Sequence, residues 1–381
     1  RWTGIALIAV ALQFATHPLA ARPNLDALNG RIKVSLPRPS DAAQALHQSL
    51  LVTDLHADSL LWPRSLLKRG RTGHVDVPRL LEGNVALQVF SAVTQVPKGQ
   101  NLNRNRGDSD QIPRLAKAAG WPKATWDSTL ERALYQAKKF DRLVANSGGT
   151  LIEIRTRGAL ESYLNNRKKD SVAGLLALEG LHMLEGDLKR LDVLYAAGFR
   201  MGGLTHFFDN GVGGSAHGWR KGGLTEFGKK VVTRMEALGM VVDLSHCSAE
   251  VIDDVLDLVK TPVVVSHTGV RGTCDSPRNL SDHQLDRLGK NGAVIGLGYW
   301  RGALCSAHPD AFARAARYVA DRIGVEHVAL GSDFDGAVST AFDASELVVV
   351  TDALIRAGFG PKEIRGIMGA NALRLLTTVL K

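Results

Sequence analysis

The segment LVTDLHADSLLW, residues 51–62, decides the fold and the chemistry that the rest of the sequence predicts. Its apolar first half is typical of a buried strand, which ends at His56, Ala57 and Asp58. Because alternate side chains of a strand face the same side, His56 and Asp58 point the same way. An imidazole and a carboxylate placed together can bind one divalent cation. The alternative for this pair alone is ordinary hydrogen bonding at a strand end, and the remaining sequence decides between the two.

The composition is that of a globular protein with a large core. The chain has 381 residues, 45% of them hydrophobic, and a formal net charge of +9. The basic residues are spread along the chain without an interleaved aromatic pattern or a DNA-binding motif, so we expect a solvated basic surface and no nucleic-acid partner. The three cysteines are too few for a disulfide scaffold and form no CxxC pair, which disfavours a thiolate zinc site; one disulfide remains open.

Residues 1–22 fit a secretory signal peptide or its remnant. They begin with a basic residue, continue with a short apolar run and end near the small residues Ala20 and Ala21. The apolar run is too short for a confident membrane span, and an uncleaved anchor is the alternative. We therefore expect an exported, periplasmic or secreted protein with no stable membrane span after signal cleavage, in which residues 23–381 form a single catalytic domain.

Eight apolar runs alternate with helix-like segments and predict an α/β fold of the TIM type, a (β/α)8 barrel. Near-continuous apolar strands separated by helices indicate a parallel sheet that is covered by helices. The predicted strands are residues 51–56, 85–93, 174–179, 201–206, 240–246, 262–267, 293–299 and 327–333. The predicted helices include residues 126–147, 188–197, 224–238, 249–259 and 309–323. An inserted helical segment, residues 97–157, follows the second strand and opens with a polar loop.

Histidine and acidic residues end six of the predicted strands. In barrels of this type the active site lies at the carboxyl ends of the strands, so we expect these side chains at one rim. They are His56, Asp58, Glu179, His206, His246, His267, Asp333 and Asp335. Mixed imidazole and carboxylate ligands favour zinc or a similar divalent ion, whereas magnesium and calcium prefer oxygen ligands. With Glu179 as a bridge, the set suffices for two metals, an arrangement that hydrolyses amides.

Other motifs are weaker. Neither a G-x-S-x-G elbow nor a phosphate loop GxxxxGK[ST] is present, which disfavours serine-hydrolase and nucleotide-hydrolase chemistry. For His182 we predict a structural or solvent-facing role, and a supporting contact to the metal ligands is the alternative. For His217, in the glycine-rich segment 211–218, we predict an exposed bystander, and a contact with the substrate is the alternative. Cys247 follows His246 and is predicted to be a packed thiol that points away from the metals.

Six motifs together resemble the membrane (renal) dipeptidase family of the amidohydrolase superfamily. They occur in the order and approximate spacing of that family: DLHADSLLW, ALEGLH, LTHFFDN, DLSHCS, VVSHTGVRGTCDSPRNLSD and LGSDFDG. The resemblance covers nearly all of residues 51–380. It implies a homodimeric dipeptidase with two Zn²⁺ per chain, in which a hydroxide bridging the metals hydrolyses dipeptides that have a free C-terminal carboxylate. A D-residue at the C-terminal position and, in some members, certain β-lactams are accepted.

The resemblance also implies a role for each motif residue. It makes His56 and Asp58 ligands of one zinc, His246 and His267 ligands of the other, and Glu179 the bridge.

Three further residues match positions that act on the substrate. His206 matches the residue that contacts the scissile carbonyl and its oxyanion. Arg278 matches the residue that binds the terminal carboxylate, a task suited to a guanidinium group. Asp333 matches the proton shuttle, with Asp335 as the weaker candidate.

The sequence departs from the family pattern at two positions that supply no ligand. Ala57 replaces an Asn that many members have, and EGLH replaces EGGH. We therefore expect zinc binding to be unaffected. The loops after the second and fourth strands differ among members of the family, so the sequence does not predict which substrate side chains are preferred. Two other functions are considered: a metal-dependent amidohydrolase that acts on another small amide or a lactam such as a β-lactam, and a catalytically silent binding protein on the same barrel.

Overall fold

The structure, a computed structural model, describes residues 28–381. The predicted leader, residues 1–22, lies outside the described residues, so the boundary at residue 22 and the single domain 23–381 stay predictions. None of the helices in the described part is both long and apolar enough to span a membrane.

The barrel is built from parallel strands whose residues are almost all buried on both faces. Within residues 28–381 the strands are β1 Val52–Ala57, β2 Val85–Val93, β3 Leu151–Glu153, β4 Val172–Glu179, β5 Phe199–Gly203, β6 Val241–Asp243, β7 Val264–Thr268, β8 Val294–Leu297 and β9 Val328–Leu330. Strand β1 pairs with β2 and β9, and β2 also pairs with β4, so every strand except β3 belongs to a closed ring of eight. The predicted (β/α)8 barrel is confirmed.

The short strand β3 was not predicted and lies within the inserted segment. It pairs with the first residues of β4, from Leu151 opposite Val172 to Glu153 opposite Gly174. Strand β5 pairs with β4 only from Leu176 onwards. Strand β3 therefore extends the sheet at the start of β4, and the rest of the insertion is largely helical, as predicted.

Helices surround the barrel, and several of them begin at side-chain caps. They are α1 Asp41–Gln48, α2 Val77–Glu82, α3 Ile112–Ala118, α4 Thr129–Ala145, α5 Arg157–Asn166, α6 Lys189–Ala196, α7 Glu226–Leu238, α8 Ala249–Leu258, α9 Asp282–Asn291, α10 Arg301–Leu304, α11 Pro309–Ile323, α12 Val348–Arg356, α13 Pro361–Arg365 and α14 Asn371–Val379. The side chains of Ser128, Thr225, Ser248 and Ser281 each accept a backbone N–H bond in the first turn of the helix that follows. The five helices predicted by range lie within three residues of these bounds.

Four of the strands end earlier than predicted, β8 by two residues and the other three by three. Strands β5, β6 and β9 end three residues before His206, His246 and Asp333, respectively, so these side chains lie in the loops that follow. His246 has φ 63° and Asp333 has φ 57°. Because a left-handed conformation cannot continue a strand, the chain must leave the sheet before these residues.

The cysteines divide into one disulfide and one thiol. Cys274 and Cys305 form a disulfide between the segments that follow β7 and β8. Cys247 is free and buried, and burial raises the pKa of its thiol to about 12, which confirms a packed thiol.

Candidate active site

Glu179, the last residue of β4, is the centre of the candidate site. Its Oε1 atom lies 3.1 Å from Nε2 of His246, 3.4 Å from Nε2 of His267 and 3.6 Å from Nε2 of His56. Its Oε2 atom lies 3.5 Å from Nε2 of His206. The next residue, Gly180, has φ 82°, so the chain turns away directly after the carboxylate. One buried carboxylate is therefore shared among four imidazoles from four different strand ends.

Three overlapping groups of side chains could each hold a metal ion. In each group the potential ligand atoms lie within 4.8 Å of one another: His56, Asp58 and Glu179; Glu179, His206 and His246; and His56, His267 and Asp333. The Nε2 atoms of His246 and His267 are only 2.9 Å apart. The predicted rim is thus assembled, and Glu179 and His56 each belong to two of the groups.

The atoms that face the centre of this cluster lack ordinary partners. Nε2 of His56 and Oδ1 of Asp58 are buried, and neither makes a hydrogen bond within residues 28–381, although they are 3.3 Å apart. Since buried polar atoms are nearly always paired, orphaned nitrogen and oxygen atoms that converge on one point fit a bound cation. Imidazole and carboxylate donors in this mixture suit zinc or a similar divalent ion. The residues present therefore fit a metal.

A serine beneath the cluster fixes the orientation of two imidazoles. Ser266 Oγ donates to Asp243 Oδ2 at 2.6 Å and lies 3.0 Å from Nδ1 of His267 and 3.4 Å from Nδ1 of His56. Because the serine proton is directed to Asp243, the serine oxygen accepts from the two Nδ1–H groups. The Nε2 lone pairs then face the cluster, which is the tautomer that a metal ligand needs.

A second buried aspartate fixes the loop after β9. Asp54 accepts hydrogen bonds from the backbone N–H and the hydroxyl of Ser332, at 2.8 and 2.6 Å, and from the amide of Gln88 at 2.8 Å. Ser332 Oγ also lies 2.8 Å from the carbonyl oxygen of His56. Asp54 therefore joins β1 to the loop that positions Asp333. The supporting roles of Asp54, Asp243 and Ser266 were not predicted from the sequence, although all three are polar residues within otherwise apolar runs.

The pKa values of the three carboxyl groups in the cluster are all raised by burial. Burial raises the pKa of Glu179 and of Asp58, and in each case a neighbouring carboxylate raises it further. Burial also raises the pKa of Asp333 to about 7, with His56 opposing this effect and Asp58 adding to it. Negative charge is thus disfavoured here unless a cation compensates it.

The imidazoles of the cluster are held neutral. Burial lowers the pKa of His206, His246 and His267, and the neighbouring positive groups lower each one further. Neutral imidazoles can act as metal ligands, whereas imidazolium groups cannot.

Arg278 lies at the His246 side of the cluster. One of its terminal nitrogens donates to the carbonyl oxygen of His267 at 2.7 Å and lies 3.5 Å from Nε2 of His246. The residue is 6% exposed, and within residues 28–381 it forms no ion pair with a carboxylate. A buried guanidinium with free N–H groups can bind an anion.

Asp335 has a structural position rather than a place in the cluster. Its carboxylate accepts from Ser59 Oγ at 2.5 Å and from the backbone N–H of His74 at 2.7 Å, and it pairs with Arg64. With these partners and 0% exposure, Asp335 is poorly placed to exchange a proton with a substrate.

The two weaker histidines are both packed in the protein. Nε2 of His182 lies 2.7 Å from Thr94 Oγ1, and its ring packs at a tilt against Phe208 with the centroids 5.2 Å apart. Burial lowers its pKa to about 3, as expected for a structural residue. The prediction of an exposed His217 is wrong, because its side chain is completely buried. The inserted segment covers it, a long-range contact that the local glycine-rich sequence does not reveal.

Comparisons with known proteins agree with this geometry. The model of the membrane dipeptidase family (peptidase family M19) matches residues 40–381. Dipeptidase verJ of Clonostachys rogersoniana is 31% identical over 316 residues, which are 81% of this chain and 76% of that protein.

Two solved structures share the fold. A metallo peptidase from Rhodobacter sphaeroides, liganded with a phosphinate mimic of the dipeptide L-Ala-D-Ala, superposes with a TM-score of 0.70 at 25% identity, covering 87% of this chain and 99% of that one. An amidohydrolase from Pseudomonas aeruginosa superposes with a TM-score of 0.69 at 19% identity over 89% of this chain and 99% of that one, a likeness of fold alone. The chain therefore belongs to the membrane dipeptidase family, peptidase family M19, and is a metallo-dipeptidase, a hydrolase that acts on peptide bonds.

Proposed function

We propose that this metallo-dipeptidase uses two Zn²⁺ ions per chain to hydrolyse dipeptides that have a free C-terminal carboxylate. The observation that carries the proposal is the position of Glu179, whose two carboxylate oxygens lie 3.1–3.6 Å from four imidazole Nε2 atoms. A carboxylate that lies within reach of imidazoles from both proposed ligand pairs is suited to bridging two cations. His56 and Asp58 would hold one ion, and His246 and His267 the other.

The chemistry of the metals and that of the protein are complementary. When bound, two zinc ions supply an activated water as the nucleophile and polarise the peptide carbonyl. The protein's part is to position the substrate and to move the proton. Asp333, whose pKa is raised to about 7, can take a proton and return it near neutral pH, as a general base and then a general acid must.

His206 and Arg278 are proposed to bind two different groups of the substrate, the scissile carbonyl and the terminal carboxylate. His206 is buried beside Glu179 and would donate a hydrogen bond to the carbonyl oxygen as negative charge develops there. Arg278 would bind the terminal carboxylate and so select substrates by length. His206 also lies within reach of the Glu179–His246 group, so its proposed role requires that the H206N variant keep both metals and lose activity.

Acceptance of a D-residue at the C-terminal position is part of the proposal. The bound phosphinate in the Rhodobacter sphaeroides metallo peptidase mimics L-Ala-D-Ala, which supports this stereochemistry for a relative of the same fold. We expect L-Ala-D-Ala to be cleaved by the zinc-loaded protein.

The test compares wild type with the R278Q variant on L-Ala-D-Ala and on L-Ala-D-alaninamide. Losing a charged hydrogen bond should raise KM for the free dipeptide about tenfold to a hundredfold and leave KM for the neutral amide nearly unchanged. Equal effects on both substrates would favour the alternative, a metal-dependent amidohydrolase of another small amide or lactam. Failure of the zinc-loaded wild type to cleave any dipeptide would contradict the proposal.

Export and a homodimeric state are proposed as well. The Cys274–Cys305 disulfide supports export, because disulfides persist mainly in oxidising compartments. The homodimer rests on the family resemblance, and light scattering of the purified protein would test it.

A further inference from the structure

The loop between β5 and α7 is joined to the loop that opens the insertion. Asn105 donates to the carbonyl oxygen of His217 from its backbone N–H at 2.7 Å and from its side-chain amide at 3.1 Å. Nearby, Arg104 Nε donates to the carbonyl oxygen of Trp219 at 3.2 Å, and its guanidinium lies over the Trp219 ring. The two loops therefore form one unit, and His217 lies at their junction.

The hydrogen bonding of His217 determines its tautomer. Its Nδ1 atom lies 2.8 Å from the carbonyl oxygen of Leu102, which can only accept, so Nδ1 carries the proton. In the neutral ring Nε2 is then an acceptor. The Nε2 atom is buried, and no partner for it exists within residues 28–381. A buried acceptor without a partner is unusual enough to require an explanation.

The ring of His217 lies beside the candidate metal-binding side chains. Its ring centroid is 5.2 Å from that of His246 and 5.1 Å from that of Phe207. Burial lowers the pKa of His217 to about 3, and the positive charge of Arg278 lowers it further. His217 therefore lies at the end of the site where the terminal carboxylate is proposed to bind, beside the second pair of metal ligands.

We propose that His217 Nε2 accepts a hydrogen bond from the N–H of the scissile amide and is therefore a specificity-determining residue for peptide over ester substrates. The inference rests on the proposed function. In a dipeptide the amide nitrogen and the terminal carboxylate are attached to the same Cα atom. A carboxylate bound by Arg278 therefore brings this N–H to the His246 end of the site, where the free acceptor lies.

The position of Asp333 fits this arrangement. Asp333 lies beside His56 and His267, with its Oδ1 atom 4.0 Å from Nε2 of His56. A nitrogen whose N–H is bound by His217 directs its developing lone pair away from His217, and Asp333 is the proposed proton donor to that lone pair. His217 would thus orient the leaving nitrogen without exchanging a proton itself.

The test uses two substrates that differ by one group: L-alanyl-L-alanine and the depsipeptide L-alanyl-L-lactate, in which an ester oxygen replaces the N–H. The variant H217N keeps an N–H donor for the Leu102 carbonyl and removes the Nε2 acceptor. We expect the ratio of kcat/KM for the peptide to kcat/KM for the ester to fall about tenfold in zinc-loaded H217N, because only the peptide loses a hydrogen bond. An unchanged ratio, whether both rates fall or neither does, would overturn the inference.

A matched variant separates this contact from loosening of the loops. N105A removes the side-chain bond to the His217 carbonyl but leaves Nε2 in place. We expect N105A to keep the wild-type ratio, and a fall equal to that of H217N would overturn the inference. Should H217N not fold, H217F, which keeps the ring and removes both nitrogens, is measured against the same two outcomes.

Different results would contradict the proposed function and the proposed role of His217. If zinc-loaded wild type cleaves no dipeptide, the proposed function is wrong. If wild type cleaves dipeptides and H217N keeps the wild-type ratio, only the role of His217 is wrong.

Discussion

The candidate metal-binding side chains form one region, the cluster, and Asp54, Asp243, Ser266 and Ser332 beneath them form a second, the polar layer. Both regions contain buried polar groups, but they differ in whether those groups have hydrogen-bond partners. In the layer, the carboxylates of Asp54 and Asp243 accept hydrogen bonds from hydroxyl and backbone N–H groups on neighbouring segments. In the cluster, the carboxylates of Asp58 and Glu179 lie close to each other and to neutral imidazoles, and Asp58 Oδ1 has no hydrogen-bond partner among the described residues. The layer is complete by itself, whereas the cluster is incomplete without a cation.

This difference assigns metal binding to the cluster and the positioning of its side chains to the polar layer. A satisfied polar network contributes rigidity, and an unsatisfied one is tolerated when a ligand completes it. The layer holds the imidazoles of His56 and His267 in the tautomer that a metal ligand requires, and their Nε2 lone pairs face the cluster. Substitutions in the cluster should therefore remove metals, while substitutions in the layer should weaken metal binding without removing a ligand.

The largest effect is expected for E179Q. Loss of the shared carboxylate charge should reduce metal content below one ion per chain and lower kcat/KM at least about a thousandfold, since metal activation is worth several kcal/mol. Elemental analysis and dipeptide kinetics measure both. The control is E226Q, whose side chain is 85% exposed, with no change expected. Wild-type metal content in E179Q would show that Glu179 is not a ligand.

A smaller and selective effect is expected for D58N. Asp58 contacts His56 but belongs to no group with His246 or His267, so one ion should be lost and the other kept. We expect kcat/KM to fall about a hundredfold, corresponding to about 3 kcal/mol. D257N, at a 73% exposed side chain, is the control. Loss of both ions in D58N would contradict two separable sites.

In the polar layer we expect a graded effect for S266A. Removing the hydroxyl leaves the Nδ1–H groups of His56 and His267 without their common acceptor, so metal affinity should fall about tenfold to a hundredfold while saturating zinc restores the metal content. Competition with a chelator measures the affinity. S49A, which removes an exposed hydroxyl, should bind metal as wild type does. An S266A variant with wild-type affinity would show that the layer does not tune the ligands.

The smallest effect is a pH dependence of the metal-free protein. The pKa values of Asp58 and Glu179 are raised in the folded state, so above the unfolded carboxyl pKa the folded state binds more protons, and stability falls as pH rises through the folded values. The lowered histidine pKa values act in the opposite direction only below about pH 6.5.

Above that pH the carboxyl effect therefore remains alone. Burial raises the pKa of Asp333 to about 7, so this group loses its proton between pH 6.5 and pH 8. We therefore expect the Tm of chelator-treated protein to be lower at pH 8 than at pH 6.5, and that of zinc-loaded protein to change less. An equal change with and without zinc would contradict this linkage.

The barrel could be predicted from the sequence because parallel strands buried on both faces consist of apolar runs. Strand β3 was missed because three residues within a longer insertion give no periodic signal. The ends of β5, β6 and β9 were overestimated, since hydropathy does not record that His246 and Asp333 adopt positive φ.

The assembly of His and acidic side chains at one rim was predictable because these residues recur at strand ends, and their proposed individual roles are those that the family resemblance implies. The polar layer and the buried position of His217 were not predicted. Ser266 directly precedes His267, and Asp54 precedes His56 by two residues, so a polar residue just before a candidate ligand was the available signal. The burial of His217 depends on Leu102 and Asn105, more than 100 residues away in the chain, and no local pattern encodes that contact.

The most direct test of the central claim is a zinc titration of metal-free protein, followed by both calorimetry and hydrolysis of L-Ala-D-Ala. We expect saturation at two Zn²⁺ per chain, with full activity only when both ions are bound. Saturation at one ion with full activity, or two bound ions without hydrolysis of any dipeptide, would contradict it.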